Sequence, residues 1–183
     1  MESTPAARPE AAYSGLAKTF HWLIAALVLS QFVVSYLMPG IGPRTVPGTL
    51  INLHFSLGVT IWMLMIVRWI HRLRHPVPMD AEIAPWERAG SHAIQMAFYA
   101  ILLVSPLLGW ASASAHRLPV GLFGLTLPAL AAPKARWALT AGDVHRYAMW
   151  TLLVLICLHV AAALYHRFVR HDGVLRRMLP GRP

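Results

Sequence analysis

Histidine is the residue through which this chain could do chemistry. Of ten, six stand within or at the ends of long uncharged stretches: His21, His54, His92, His145, His159 and His166. An ionisable side chain at membrane depth is costly, so a functional role is its default reading. His145, His159 and His166 follow at intervals of 14 and 7 residues. At 3.6 residues per turn all three share one helix face, with the first two about 21 Å apart along the axis. The remaining four, His71, His75, His116 and His171, lie in loops or tails beside arginines and read as solvated or headgroup-facing. A proton relay would ordinarily add intramembrane carboxylates. None lies deep in these stretches, and Asp143 stands at an edge.

The elements that must position these side chains follow from hydropathy. Residues are 57% hydrophobic and 13% charged, against roughly 25% charged for a soluble domain. The mean hydropathy is +0.53. Stretches without Asp, Glu, Lys or Arg run over 19–43, 45–67, 89–116, 118–133 and 147–166. A span needs about 20 residues at 1.5 Å each, so membrane helices are expected near 16–38, 49–70, 89–112 and 143–168. Together they make one all-α, integral membrane four-helix bundle over residues 1–183. The stretch 118–133 is broken by Pro119, Gly121, Gly124, Pro128 and Pro133 and reads as an interfacial loop. Pro106 should kink the third helix. The segment before Tyr13 is polar, and no small-residue cleavage site follows the first helix, which is expected to be retained. The single cysteine, Cys157, excludes an internal disulfide, an iron–sulfur cluster carried by this chain alone, and covalent haem attachment.

Four spans put both termini on one side. Eleven basic residues fall there (Arg8, Lys18, Arg68, Arg72, Arg74, Arg88, Arg167, Arg170, Arg176, Arg177, Arg182) and five on the other (Arg44, Arg117, Lys134, Arg136, Arg146). The positive-inside rule then predicts cytoplasmic termini. With Asp143 the only acid opposite, the outer loops carry a formal +4. The basic residues lie between apolar runs, so they read as membrane anchors and nucleic-acid binding is set aside.

A b-type haem suits the histidine spacing, because its iron takes two neutral imidazoles supplied by different helices of a bundle. Topology suggests the partners. His145 lies near the outer surface, where the second helix begins and offers His54. His159 lies towards the cytoplasm, where the first helix offers His21. At 1.5 Å per residue His21 is about 5 Å and His159 about 10 Å deep, a mismatch that a tilted haem absorbs. His166 and His92 compete as partners for His21; their bland reading is snorkelling to headgroups. Met63, Met65 and Met149 read as packing.

Several segments carry a resemblance: Thr19-Phe20-His21-Trp22-Leu23, Leu50-Ile51-Asn52-Leu53-His54, Met65-Ile66-Val67-Arg68 with Arg72-Leu73-Arg74 and Pro76, Gly124-Leu125-Thr126-Leu127-Pro128, His159-Val160-Ala161-Ala162-Ala163-Leu164 with His166, and Leu175-Arg176-Arg177-Met178-Leu179-Pro180. From about residue 13 to 180 the chain resembles the bacterial cytochrome b561 family, quinone-linked di-haem cytochromes that include superoxide oxidase. The resemblance implies two non-covalent b haems, one held by His21 and His159, the other by His54 and His145.

The chemistry to expect is electron transfer across the membrane, with no general acid or nucleophile. Arg68, Arg72 and Arg146 stand at helix ends where haem propionates could meet them, anchoring being the competing reading. The outer +4, including Arg44, Lys134 and Arg136, would steer a small anion such as superoxide. A lipid-soluble acceptor, ubiquinone, suits the cytoplasmic end, with Lys18, Trp86 and His92 as candidate contacts. The reading is a superoxide:ubiquinone oxidoreductase of the bacterial inner membrane. Its alternatives are an anchor subunit linking a hydrogenase or dehydrogenase partner to quinone, and a structural membrane protein without cofactor.

Overall fold

The computed structural model describes residues 13–76 and 84–179. The segment before Tyr13, with Arg8, and the far C-terminus, with Pro180 and Arg182, lie outside the described residues. Among the described residues four helices are long and apolar enough to cross a membrane: α1 (Gly15–Leu37), α2 (Thr49–Arg74), α3 (Pro85–Ala115) and α4 (Arg136–Tyr165). The chain is a membrane-embedded helical bundle. Ser14 starts α1 by accepting the Ala17 N–H on its hydroxyl at 3.2 Å. Pro85 opens α3, where Glu87 reaches back to the Ala84 N–H at 3.2 Å.

The helices outrun their apolar runs. Thus α2 continues to Arg74, α3 begins at Pro85, and α4 begins at Arg136, well before the expected 143. Beyond the hydrocarbon, polar residues hold a helix as well as apolar ones, so hydropathy marks the span and not the element. α3 is unbroken across Pro106. α4 ends in a widened turn, His166–Arg170, closed where His171 takes a left-handed conformation.

Small residues bring α3 and α4 close. Ala111, Ala115, Ala131 and Ala138 form one buried cluster, and Gly142 leaves room for Ser112. α1 packs along α2, and α2 on α3, whereas α4 makes hardly any close backbone approach to α1 or α2. Between them the side chains of Ile24, Val28, Ile61, Met65 and Leu152 form a buried apolar layer at mid-height.

The 118–133 segment is an ordered loop. Gly121–Leu122 (β1) pairs antiparallel with Leu125–Thr126 (β2) around a two-residue turn, Phe123-Gly124, with both φ positive. Ser56 of α2 pins it: its hydroxyl donates to the Gly121 carbonyl at 3.1 Å and accepts the Phe123 N–H at 3.0 Å. Leu118 and Val120 enter a core with Ile51, Phe55, Val59 and Ala113.

Candidate functional site

Two imidazole pairs lie across the space between α4 and the α1–α2 pair. His54 and His145 have ring centroids 6.4 Å apart at the loop end. His21 and His159 have theirs 6.2 Å apart at the end bearing the termini. On α4, Leu152 stands seven residues from each histidine, and its buried apolar layer separates the two pairs. Neither pair is in hydrogen-bond contact. A metal ion about 2.0 Å from each of two imidazole nitrogens sets the ring centroids roughly 6 Å apart, so both spacings suit one ion between two rings. Among the described residues no three of His, Cys, Asp and Glu cluster as metal ligands. A macrocycle that brings its own four nitrogens needs only two protein ligands, and two are what each site offers.

Second contacts define the loop-end site. His145 Nδ1 lies 2.8 Å from the Ser105 carbonyl oxygen and 2.8 Å from its hydroxyl. A carbonyl only accepts, so Nδ1 carries the proton and Nε2 keeps its lone pair for a metal. Gly109 lets the ring lie there: a Cβ would stand 3.2 Å from His145 Nδ1. Gln31 of α1 donates to the His54 carbonyl at 2.9 Å, while the buried His54 Nδ1 has no hydrogen-bond partner among the described residues.

The terminus-end site is built from cations and aromatics. The charge of Arg68 bears on both His21 and His159, and Phe98 sits edge-on to His159 at 5.6 Å. One guanidinium nitrogen each of Arg68 and Arg72 is buried without a hydrogen-bond partner among the described residues. Unsatisfied buried donors of this kind fit a carboxylate such as a haem propionate. Arg146 differs, since it is exposed and pairs with Asp143 at 2.8 Å. The donor set, the ring spacing and the unsatisfied guanidinium nitrogens all fit haem.

Tyr13 stacks with both Arg72 and Arg177, at 5.8 and 5.7 Å. The Trp22 indole donates to the Met178 carbonyl at 2.8 Å, which ties the tail to α1. His166 faces Asp172 at 2.6 Å and makes no ring contact with His21. Burial disfavours the Asp172 charge, but hydrogen bonds from His166 and the Val174 N–H, with the Arg170 charge, hold its pKa below the ordinary carboxylate value.

The other sequence-derived residues disperse. A cleft of about 250 Å³ between α2 and α3 is lined by Trp69, Arg72, Leu73, Pro76, His92, Gln95, Met96 and Tyr99. Of the three quinone candidates only His92 lines it; Lys18 is buried in α1 and Trp86 is exposed. Arg44, Lys134 and Arg136 are exposed at the loop end. Met65 and Met149 pack in the central layer, and Met63 faces outward. Sequence reasoning passed over Ser105, Gly109 and Gln31. A serine next to the proline of an apolar helix, and a lone glutamine in a span, were the available signals.

Residues 12–181 match the family described as prokaryotic cytochrome b561. The chain belongs to that family. Relatives include cytochrome b561 homolog 2 of Escherichia coli K12, 29% identical over 91% of this chain and 90% of its own length. The probable superoxide oxidase CybB of Yersinia pestis is 30% identical over 92% and 96%. Cytochrome b562 of Cereibacter sphaeroides is 27% identical over 93% and 96%. As a cytochrome b561 family protein, the chain is a membrane electron-transfer protein of the oxidoreductase type that binds b haem.

Proposed function

We propose that this cytochrome b561 family protein is a di-haem superoxide:ubiquinone oxidoreductase of the bacterial inner membrane, with both termini cytoplasmic. The observation that carries the reading is the pair of facing imidazoles at each end of the bundle, separated by one apolar layer. His54 and His145 hold the outer haem, His21 and His159 the inner. Bound haem supplies reversible one-electron storage at two depths of the bilayer.

The chain's own residues do the rest. Arg68 and Arg72 bind propionates at the inner end, and Arg146, beside Asp143, offers a weaker contact at the outer. Ile24, Val28, Ile61, Met65 and Leu152 keep water and ions from the space between the sites. Arg44, Arg117, Lys134, Arg136 and Arg146 concentrate a small anion at the outer face. Two superoxide anions give up one electron each and leave as dioxygen. One ubiquinone takes both electrons and two protons at the cytoplasmic end and leaves as quinol. Lys18, Trp86 and His92 are its proposed neighbours, and the cleft beside His92 offers a pocket. The similarity to a relative named probable superoxide oxidase supports the donor assignment.

The test uses the purified single chain. A pyridine haemochrome assay should give two b haems per protein. A stopped-flow superoxide pulse should reduce them faster than superoxide disappears unaided. A chain that holds two haems but reacts only when a hydrogenase or dehydrogenase partner is supplied would be the anchor subunit instead.

A further inference from the structure

We propose that Ser105 makes the loop-end haem the weaker electron acceptor of the two, so that electrons run from the loop end to the terminus end. The proposal rests on the di-haem reading and gives its direction a physical cause. Ser105 is a positioning residue, since it acts through His145.

The observations are all at one level of α3. Ser105 is 1% exposed. Both its carbonyl and its hydroxyl oxygen lie 2.8 Å from His145 Nδ1. A histidine that donates its outer N–H to an acceptor becomes the more basic ligand, and a more basic axial ligand favours the oxidised iron. The opposite holds at the other end. There a guanidinium nitrogen of Arg68 is buried without a hydrogen-bond partner among the described residues. A fixed cation in a low-dielectric site favours the electron-richer, reduced state. No acceptor like Ser105 contacts the ring nitrogens of His21 or His159 among the described hydrogen bonds. The two ends are therefore graded in opposite senses, which sets the slope of the path.

Gly109 serves the same contact. Its missing side chain leaves the space in which the His145 ring lies against Ser105, and an added Cβ would meet Nδ1 and Cε1 at 3.2 Å. That is closer than ordinary contact, and the ring must move off its acceptor to relieve it.

The experiment is a potentiometric titration of the haem-loaded full chain, followed through the visible absorption of each haem, with the loop-end component assigned from its absence in His54→Ala. The loop-end haem should titrate at the lower potential. Ser105→Ala should move it upward while the terminus-end haem stays in place. Ser105→Thr, which keeps the hydroxyl, should restore the wild-type value. Gly109→Ala should move the loop-end haem further than Ser105→Ala, and Arg68→Gln should lower only the terminus-end haem. A packing role for Ser105 would change none of these potentials. A loop-end haem that titrates above its partner would overturn the proposal, as would unchanged potentials in both Ser105→Ala and Gly109→Ala with two haems bound. If Gly109→Ala sheds the haem, the order of the two wild-type potentials decides, because Ser105→Ala removes the hydroxyl and leaves the residue 105 carbonyl in place. A haemochrome ratio on the same samples separates the two readings: fewer than two haems in wild type sinks the di-haem reading and the grading with it, whereas two haems with no response to either Ser105→Ala or Gly109→Ala sinks the grading only.

Discussion

The loop end and the terminus end of this bundle solve the same problem with different means. At the loop end the protein's own groups hold the loop and one imidazole: Ser56 holds the β1–β2 turn, Ser114 accepts the Leu130 N–H at 3.1 Å, the Trp110 indole donates to Pro128, and Ser105 accepts from His145 Nδ1, while the buried His54 Nδ1 has no partner among the described residues. Leu118 and Val120 bury this end in its own core. At the terminus end buried guanidinium nitrogens of Arg68 and Arg72 are left for something else to bind, and a cleft opens beside His92. Both ends have a cavity, about 300 Å³ beside Leu118 and about 250 Å³ beside His92, but the loop end is tied by hydrogen bonds between its own groups and the terminus end keeps cationic donors in reserve. The contrast teaches that equally spaced histidine pairs need not make equal sites, because the groups behind the imidazoles differ.

The largest expected effect tests whether the two ends are separate sites at all. His54→Ala and His145→Ala should each lose the same one of two haems, and His21→Ala and His159→Ala should each lose the other. The haemochrome ratio should halve in all four, and the surviving spectrum should sort them into these two pairs. A protein that keeps both haems in His21→Ala but loses one in His92→Ala or His166→Ala would break the comparison at its root, by moving the terminus-end site to different residues.

The second effect belongs to the loop end alone. Neutralising Arg44, Lys134, Arg136 and Arg146 together should slow haem reduction by superoxide, by about tenfold at low ionic strength, and leave reduction by quinol unchanged. Salt should act alike, since the screening length falls from about 10 Å at 0.1 M to about 3 Å at 1 M. Arg146 should contribute least, because Asp143 already pairs with it. Rates indifferent to both charge and salt would remove the anion-steering role of this end.

How much of this was legible beforehand divides along the same line. The four spans could be read because lipid demands long apolar runs whatever their neighbours do. The histidine faces could be read because 14 residues close nearly four helical turns. What stood behind the ligands could not. Ser105 is an ordinary small residue in a span until α4 is laid against α3, and that approach depends on Ala111, Ala115, Ala138 and Gly142 lying opposite one another. Likewise the breakers in 118–133 signal a loop, but only Ser56, more than sixty residues away, decides that it folds onto α2. Non-local contacts of this kind leave no periodicity to find.

Ser56→Ala tests the hydrogen bonds that tie the loop to α2. It leaves the Phe123 N–H without its acceptor and the Gly121 carbonyl without its donor, at a cost of about 1–3 kcal/mol. Faster hydrogen exchange is expected at residues 118–127, with both haems retained. Unchanged exchange would mean that Leu118 and Val120 hold the loop by burial alone.

The smallest effect lies at the other end, in the turn that closes α4. Asp172 accepts from His166 at 2.6 Å and from the Val174 N–H at 3.1 Å, and these bonds with the Arg170 charge outweigh burial and lower its pKa from the ordinary 3.8. A carboxyl whose pKa is depressed by folding stabilises the fold at pH values above its unfolded pKa, and the contribution fades as the pH falls through the folded value. From pH 7 down to about 5 the turn should therefore hold, and below pH 3.8 it should loosen. Asp172→Asn should reproduce the loosened state at pH 7, seen as faster exchange at Val174 and its neighbours, with a small effect because the carboxyl is partly exposed. Both haems should stay bound, since neither Asp172 nor His166 contacts a ligand histidine. If Asp172→Asn instead released the terminus-end haem, the tail would be part of that site, and this end would prove as dependent on its own hydrogen bonds as the loop end.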